Sequence, residues 1–348
     1  MLNLFLNEKG YKVTRSIISF YNQINYNDYE PVIKTGQALL SKFKIPSLYS
    51  NYSRYLADLN IKSELFSLKY DSPVTFAAFE SHFDSLLFWL NLGCGGGCLK
   101  TIKCYPEPGN PNPRIHQIKI NNRPHLINAL GLPGKGAEEF LKQIKMSELP
   151  QVNKPIGLSI GGHSLEEYKN TVDIILENKI PLNQPYIEIN ISCPNTTTGK
   201  SMHDNLNDIN ELVKYIREKT KLVIVIKVSP DASDENLKDI AALCREFNEV
   251  TINAGNTQFK KEAEVGLKKG QMSIGGGGVS GPILFKRTLE VAELLKPFKL
   301  PIISTGGIST IDQIEALKDQ GVVVFGMATA IVENPFIIVR LNKALSAS

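Results

Sequence analysis

The chain has 348 residues, 39 basic and 35 acidic side chains, and a formal charge of +4. This length excludes a small module stapled by disulfides or metal, and 42% hydrophobic with 21% charged residues excludes disorder and collagen-like structure. A charge of +4 over this length is too weak to argue for nucleic acid, and no apolar run of about 18 residues is present to span a membrane. The five cysteines are Cys94, Cys98, Cys104, Cys193 and Cys244. An odd count, after a start too short and polar for a secretory signal, leads to the expectation of reduced thiols in the cytoplasm.

Residues 1–70 are rich in Asn, Tyr, Ser and Lys and lack β-like apolar runs. Ile17, Ile18, Phe20 and Tyr21 predict a short helix, and Val32, Ala38, Leu39, Leu40 and Phe43 a second one. This segment reads as a helical N-terminal extension, either a cap on the main domain or a docking site for a membrane surface or apolar co-substrate. From Pro73 the texture changes. Short apolar runs appear at Val74–Ala78, Leu99–Ile102, Ile156–Ile160, Ile187–Ile191, Val223–Val228, Val250–Asn253, Ile302–Ser304 and Val322–Phe325. Helical patterns lie between them at Leu165–Glu177, Leu206–Lys219, Asp234–Phe247, Phe285–Leu295 and Thr310–Gln320. Runs apolar on both faces are the mark of parallel strands covered by helices. Eight such units predict a (β/α)₈ barrel over residues 71–348. The alternative is a doubly wound sheet, which would favour a Gly-x-Gly-x-x-Gly turn after the first strand, and none is there.

Polar and glycine residues gather where the strands end, the rim that carries barrel active sites. Cys104–Arg123 and Asn256–Gly281 are longer irregular stretches placed to roof that rim. Ser304-Thr305-Gly306-Gly307 after the seventh run, with Ala328-Thr329 after the eighth, predicts a phosphate site, or else two tight turns. Asn190-Ile191-Ser192-Cys193-Pro194-Asn195 brings a thiol and two amides to one loop. A thiol of lowered pKa serves as a base, and amides suit a planar ring with carbonyl and N–H edges. The same loop also reads as Asx turns around an inert cysteine. Lys100 and Lys227, in apolar runs, are expected to meet an anion, unless they are solvated. Cys94 and Cys98, without a second pair, read as part of a flexible Gly-rich turn rather than a metal site.

Together these segments resemble dihydroorotate dehydrogenase, over about residues 70 to 340. The landmarks are Gly109-Asn110-Pro111 with Pro113-Arg114, Ile127-Asn128-Ala129-Leu130-Gly131-Leu132-Pro133, and the Asn190–Asn195 loop. Further on come Lys227-Val228-Ser229-Pro230, Asn256-Thr257, Gly278-Val279-Ser280-Gly281 and Ser304-Thr305-Gly306-Gly307. The resemblance implies a barrel binding FMN that oxidises dihydroorotate to orotate. It implies Cys193 as the base, with Asn128, Leu130, Gly131, Leu132, Asn190, Asn195, Asn256 and Thr257 about the substrate. It implies a flavin site at Ala77, Ala78, Lys100, Thr101, Asn190, Lys227, Asn253, Ser280, Gly281, Gly306, Gly307, Ala328 and Thr329, and no metal. The cysteine base and Lys100 look like the soluble class 1 enzymes. The extension looks like class 2, which is membrane-associated and reduces quinones. Quinone and fumarate are therefore both carried as acceptors, with peripheral membrane contact through residues 1–70. The oligomeric state is not legible. One departure is Ala77-Ala78-Phe79, where the family has glycine third, followed by His82 where class 2 has lysine. The rival readings are a related flavin oxidoreductase acting on another planar ring, and a barrel that binds ligand without catalysis.

Overall fold

The structure, a computed structural model, describes residues 2–25, 28–49, 52, 59–191 and 205–347. Its centre is a closed barrel of eight parallel strands. These are β1 (Val74–Phe76), β2 (Gly97–Ile102), β3 (Pro155–Ile160), β4 (Gln184–Asn190), β5 (Ile224–Val228), β6 (Val250–Ala254), β7 (Ile302–Thr305) and β8 (Val322–Met327). Each pairs with the next in sequence, and β8 closes onto β1. All eight apolar runs of the sequence are barrel strands, so the (β/α)₈ expectation holds.

Alternation within the strands divides the core. On β4, Ile187 and Ile189 join the large cluster shared with the helices. Tyr186, on the opposite face, packs inside the barrel with Cys98, Val223, Val225, Ile303 and Val324. Most helices between the strands begin where the sequence supplies a cap. The side chains of Ser164, Asn205, Ser233 and Thr310 accept from the backbone N–H groups of Glu167, Asp208, Asn236 and Gln313.

Residues 63–70 are not helical. Ser63–Leu65 and Leu68–Tyr70 form an antiparallel hairpin. Leu65, Leu68 and Tyr70 enter the interior cluster and floor the barrel at its N-terminal end. Burying each such leucine contributes about 1.5–3 kcal/mol. Three residues per strand, alternating buried and exposed, are too short a pattern for an apolar-run count to detect.

The N-terminal segment forms α1 (Leu2–Asn25), α2 (Glu30–Lys42) and α3 (Ile45–Leu48). The first is a full 24 residues, longer than the four apolar residues indicated. It is fixed to the C-terminal helices. Tyr11 donates to the carbonyl of Val332 at 2.8 Å, and buried Glu8 meets Arg340 and accepts from Asn334. Burial pushes the Tyr11 hydroxyl up to about 12. Leu6, Val13, Ile17, Phe20 and Tyr21, by contrast, are 55–68% exposed. Their spacing places them along one stripe of α1.

The two rim insertions meet. Gln258–Lys261, Gly276–Ser280, Arg123–Asn128 and Ile115–Ile120 form one four-stranded antiparallel sheet in that order. Within it Gly278 pairs with Asn128, so motifs 150 residues apart in sequence lie side by side.

Candidate active site

The second strand contains the first feature of the site. Its register against β3 shifts between Leu99 and Ile102, so one extra residue is accommodated where Lys100 and Thr101 stand. Such a bulge re-aims side chains. Thr101 is buried, and its Oγ1 accepts from Asn190 Nδ2 at 2.8 Å and meets Ser159 Oγ at 3.0 Å. Lys100 is half-buried and makes no ion pair within 4.0 Å among the described residues. Burial pushes its ammonium pKa down, and Glu80 opposes that.

Asn190 and Lys227 are register partners on β4 and β5, and Lys227 is the partner of Asn253 on β6. All three are buried. Asn253 is held from both sides: its Nδ2 donates to Glu188 Oε2 at 2.8 Å, and its Oδ1 accepts from Thr305 Oγ1 at 2.8 Å. The Lys227 ammonium has no ion pair or hydrogen bond among the described residues. Glu188 is fully buried, and its Oε1 lacks a protein partner among them. Polar groups without protein partners inside a barrel mouth are what a bound polar ligand completes.

The substrate-side landmarks lie on the insertion sheet and the loop after it. Asn128 Nδ2 donates to the Gly278 carbonyl at 3.3 Å. Asn110 pins the following loop, donating from its backbone to Leu130 O at 3.0 Å and from its side chain to Ala129 O at 2.9 Å. Gly131 and Leu132 are left-handed, with φ of 69° and 54°. A Cβ on Gly131 would lie 2.8 Å from Asn110 N, so glycine is required there. Thr257 donates from its backbone to Asn256 Oδ1 at 2.8 Å. Its hydroxyl lies beside Gly278, where a Cβ would meet it at 2.1 Å.

At the far side three glycines in two turns converge. Gly281, Gly306 and Gly307 have φ of 122°, 137° and 70°. A Cβ on Gly307 would lie 2.6 Å from Phe285 N and 3.0 Å from Gly281 O, so the turns after β7 and before Phe285 are packed backbone to backbone. Thr329 Oγ1, just past Ala328, donates to Ser280 Oγ at 2.8 Å, joining the β8 turn to the same place. This convergence is where barrels hold phosphate.

Ala77 is buried, with its N–H on Met327 O, and Ala78 is half-buried. The Phe79 ring packs on Trp89 at 5.2 Å and belongs to the helix-side core. His82 opens the helix Phe83–Asn91 and bonds Ser41 and Ser85. Neither departure from the family pattern therefore turns its side chain into the barrel mouth. The glycines of the Gly93–Cys98 turn are closely packed. A Cβ on Gly95 would meet Ser72 O at 1.9 Å, and one on Gly97 the Phe76 ring at 2.3 Å. Cys94, Cys98, Cys104 and Cys244 are free and buried, and burial pushes each thiol up. Cys193 and Asn195 lie outside the described residues.

Two groups escaped the sequence reading. Glu188 is a lone carboxylate within the apolar run Ile187–Ile191, a signal that was present. Glu80 precedes Ser81 and His82 in an unremarkable polar turn, and its importance rests on Gln37, 43 residues away.

The fold and its rim define a (β/α)₈-barrel enzyme with buried ammonium and amide groups at the strand ends. Dihydroorotate dehydrogenase is the family whose sequence profile matches residues 60–348. The chain belongs to the dihydroorotate dehydrogenase family, flavin-using oxidoreductases. It is 25% identical to a dihydroorotate dehydrogenase (quinone) of Chloroflexus aurantiacus over 327 residues, 88% of each chain. It is 29% identical to that of Mycobacterium leprae over 263 residues, 72% of this chain and 70% of the relative. The crystal structure of DHODH from Eimeria tenella in complex with ferulenol superposes with a TM-score of 0.70 at 19% identity, covering 83% of this chain and 84% of that one.

Proposed function

We propose that the protein oxidises (S)-dihydroorotate to orotate on FMN and passes the electrons to a quinone. The observation that carries the reading is the pair Asn190–Lys227, an amide and an ammonium on register partners at the strand ends, with Thr101 bonded to Asn190. The family match supports dihydroorotate as the ring and a flavin as the cofactor.

The described residues fit such a cofactor. Gly281, Gly306, Gly307 and Thr329 would hold its phosphate, with Ala328 and Ser280 beside them. Lys227, Lys100, Thr101, Asn190 and Asn253 would border its ring, with Ala77 and Ala78 at the edge. When bound, the flavin supplies the hydride acceptor. The chain's task is to hold the substrate ring and take a proton from the adjacent carbon. Asn128, Asn190, Asn195 and Asn256 match the ring's carbonyls and N–H groups, and Thr257 adds a hydroxyl. Leu130, Gly131 and Leu132 would cover the ring and exclude water. Cys193 is the proposed base, and Lys227 offers positive charge to an electron-rich ring.

Quinone is preferred to fumarate for two reasons. The relatives above carry quinone in their names, and α1 presents the apolar stripe of Leu6, Val13, Ile17, Phe20 and Tyr21. We read residues 1–70 as an extension that contacts a membrane surface from its periphery and receives the quinone. No helix among the described residues is long and apolar enough to cross a membrane.

The test is anaerobic. Dihydroorotate should bleach the yellow preparation, and a soluble quinone should restore the colour faster than fumarate. A colourless preparation, or one that dihydroorotate leaves yellow, would refute the reading; faster recovery with fumarate would refute the acceptor.

A further inference from the structure

We propose that His125, which stands on the rim sheet and not on the barrel, is a positioning residue for the phosphate end of the flavin: as a neutral imidazole it holds the turn from Gly281 to Phe285 in place, and it releases that turn when protonated. The inference rests on the reading above for the identity of the cofactor.

His125 lies in the insertion strand Arg123–Asn128 and is 2% exposed. The backbone engages both of its ring nitrogens. Nδ1 lies 2.9 Å from the carbonyl oxygen of Arg123, and the N–H of Ile283 donates to Nε2 at 3.1 Å. A carbonyl only accepts and an amide N–H only donates, so the ring proton is on Nδ1 and Nε2 offers its lone pair. An imidazolium carries a proton on each nitrogen and cannot keep the bond from Ile283.

That bond reaches the phosphate cradle. Ile283 belongs to the single turn Pro282–Leu284, between Gly281 and the helix Phe285–Leu295. The imidazole edge also packs on Gly281, where a Cβ would stand 2.8 Å from Cδ2 and 3.1 Å from Cγ. The opposite side of the same turn meets Gly307 through Gly281 O and Phe285 N. One ring thus sets how closely this turn approaches the glycines after β7. The neighbouring residue adds a second tie: the Leu126 carbonyl accepts from Ser280 Oγ at 3.3 Å, and Thr329 donates to that same hydroxyl.

No acid compensates a positive charge here. The titratable groups on the packed elements are His116, Lys119 and Arg123 on the sheet, with Lys286 and Arg287 at the start of the helix. His116 bonds Gln271 O at 2.7 Å, and Lys119 and Arg123 are exposed. Lys286 pairs with Glu290, and Arg287 with Asp234 and Glu290. Among the described residues no carboxylate lies within 4.0 Å of the His125 ring. A cation at this position would be buried and unpaired, and would face the Ile283 N–H donor to donor.

The experiment uses the flavin-loaded full chain and its His125→Gln and His125→Phe variants. Release of FMN on dilution is read from the rise in flavin fluorescence between pH 8 and pH 5.5. Glutamine places an oxygen acceptor near the position of Nε2 and does not titrate; phenylalanine fills the space without an acceptor. The parent should lose affinity as pH falls, by up to roughly tenfold per pH unit. His125→Gln should bind FMN much as the parent does at pH 8 and show a shallower slope. The phosphate of FMN titrates in the same range, so the difference between the two slopes is the quantity that counts. His125→Phe should bind roughly tenfold more weakly at pH 8, the equivalent of one lost buried hydrogen bond. Amide exchange in the peptide covering residues 281–285 should quicken by a similar factor in His125→Phe and not in His125→Gln.

Equal pH slopes in the parent and His125→Gln would overturn the proposal, and so would unchanged FMN affinity in a folded His125→Phe. If His125→Phe does not fold, the slope of His125→Gln decides alone. If the preparation holds no flavin, the reading above fails by itself. Exchange at residues 281–285, followed across the same pH range in the parent and His125→Gln, then decides the role of His125: equal profiles overturn it.

Discussion

The side-chain amide of Asn190 donates to the hydroxyl oxygen of Thr101 at 2.8 Å, tying the end of β4 to the bulge in β2 across the barrel interior. Both residues are buried. Thr101→Val keeps the volume and removes the acceptor. Losing this buried hydrogen bond should cost about 0.5–1.5 kcal/mol. The expected result is a melting temperature lower by several degrees, together with weaker orotate binding, measured by thermal unfolding and flavin absorbance.

Glu30 gives the fold a pH dependence. Hydrogen bonding to Arg114, backed by Lys34, holds its carboxyl at about 2 against an ordinary 4.5. The folded value is depressed, so its stabilisation is complete above pH 4.5 and is lost as pH falls towards 2. The size is roughly 2 kcal/mol after allowing for solvent screening. Urea unfolding at pH 3 and pH 6 should show a smaller difference for Glu30→Gln than for the parent.

Gly307→Ala should release the flavin. The alanine would sit at φ 70° with its Cβ 2.6 Å from Phe285 N. Gly321→Ala is the control, since its φ is 86° but its Cβ would meet open space. Both carry the left-handed strain of about 1 kcal/mol, and only the first should lose bound flavin absorbance on gel filtration.

Ile17→Glu combined with Phe20→Glu places charge on the exposed stripe of α1. Dihydroorotate should bleach this variant normally. Reoxidation by quinone embedded in lipid vesicles should slow at least several-fold, and vesicle co-sedimentation should fall. Equal reoxidation rates would detach α1 from the acceptor step. These substitutions are a better probe than removing residues 1–65, because α2 also positions Glu80 and Arg114.

Cys193→Ser should retain a flavin spectrum and lose most reduction by dihydroorotate at neutral pH, with recovery as pH rises, since a hydroxyl is harder to deprotonate than a thiol. Stopped-flow reduction from pH 7 to pH 10 reads this directly. Full activity at pH 7 would remove Cys193 from the role of base.

The barrel was legible because each strand is buried on both faces, which leaves a continuous apolar run such as Ile156–Ile160. The hairpin Ser63–Tyr70 was not, because three-residue strands bury only alternate side chains. At the site, residues in motifs were found and residues defined by tertiary contact were not. Lys100 and Lys227 announced themselves as charges in apolar strands. The bulge that carries Lys100 depends on pairing with β3, and Glu80 depends on α2, so neither has a local signature. Phe79 read from sequence only as a departure from the family pattern, because its ring partner Trp89 belongs to the next helix.

The attachment of α1 has a consequence for biosynthesis. Tyr11 and Glu8 precede their partners Val332 and Arg340 by 321 and 332 positions. This helix therefore cannot seat until those partners have been translated. Throughout elongation its oily side is on offer to whatever surface lies nearby, and a nascent chain that stops short of Val332 would keep it so.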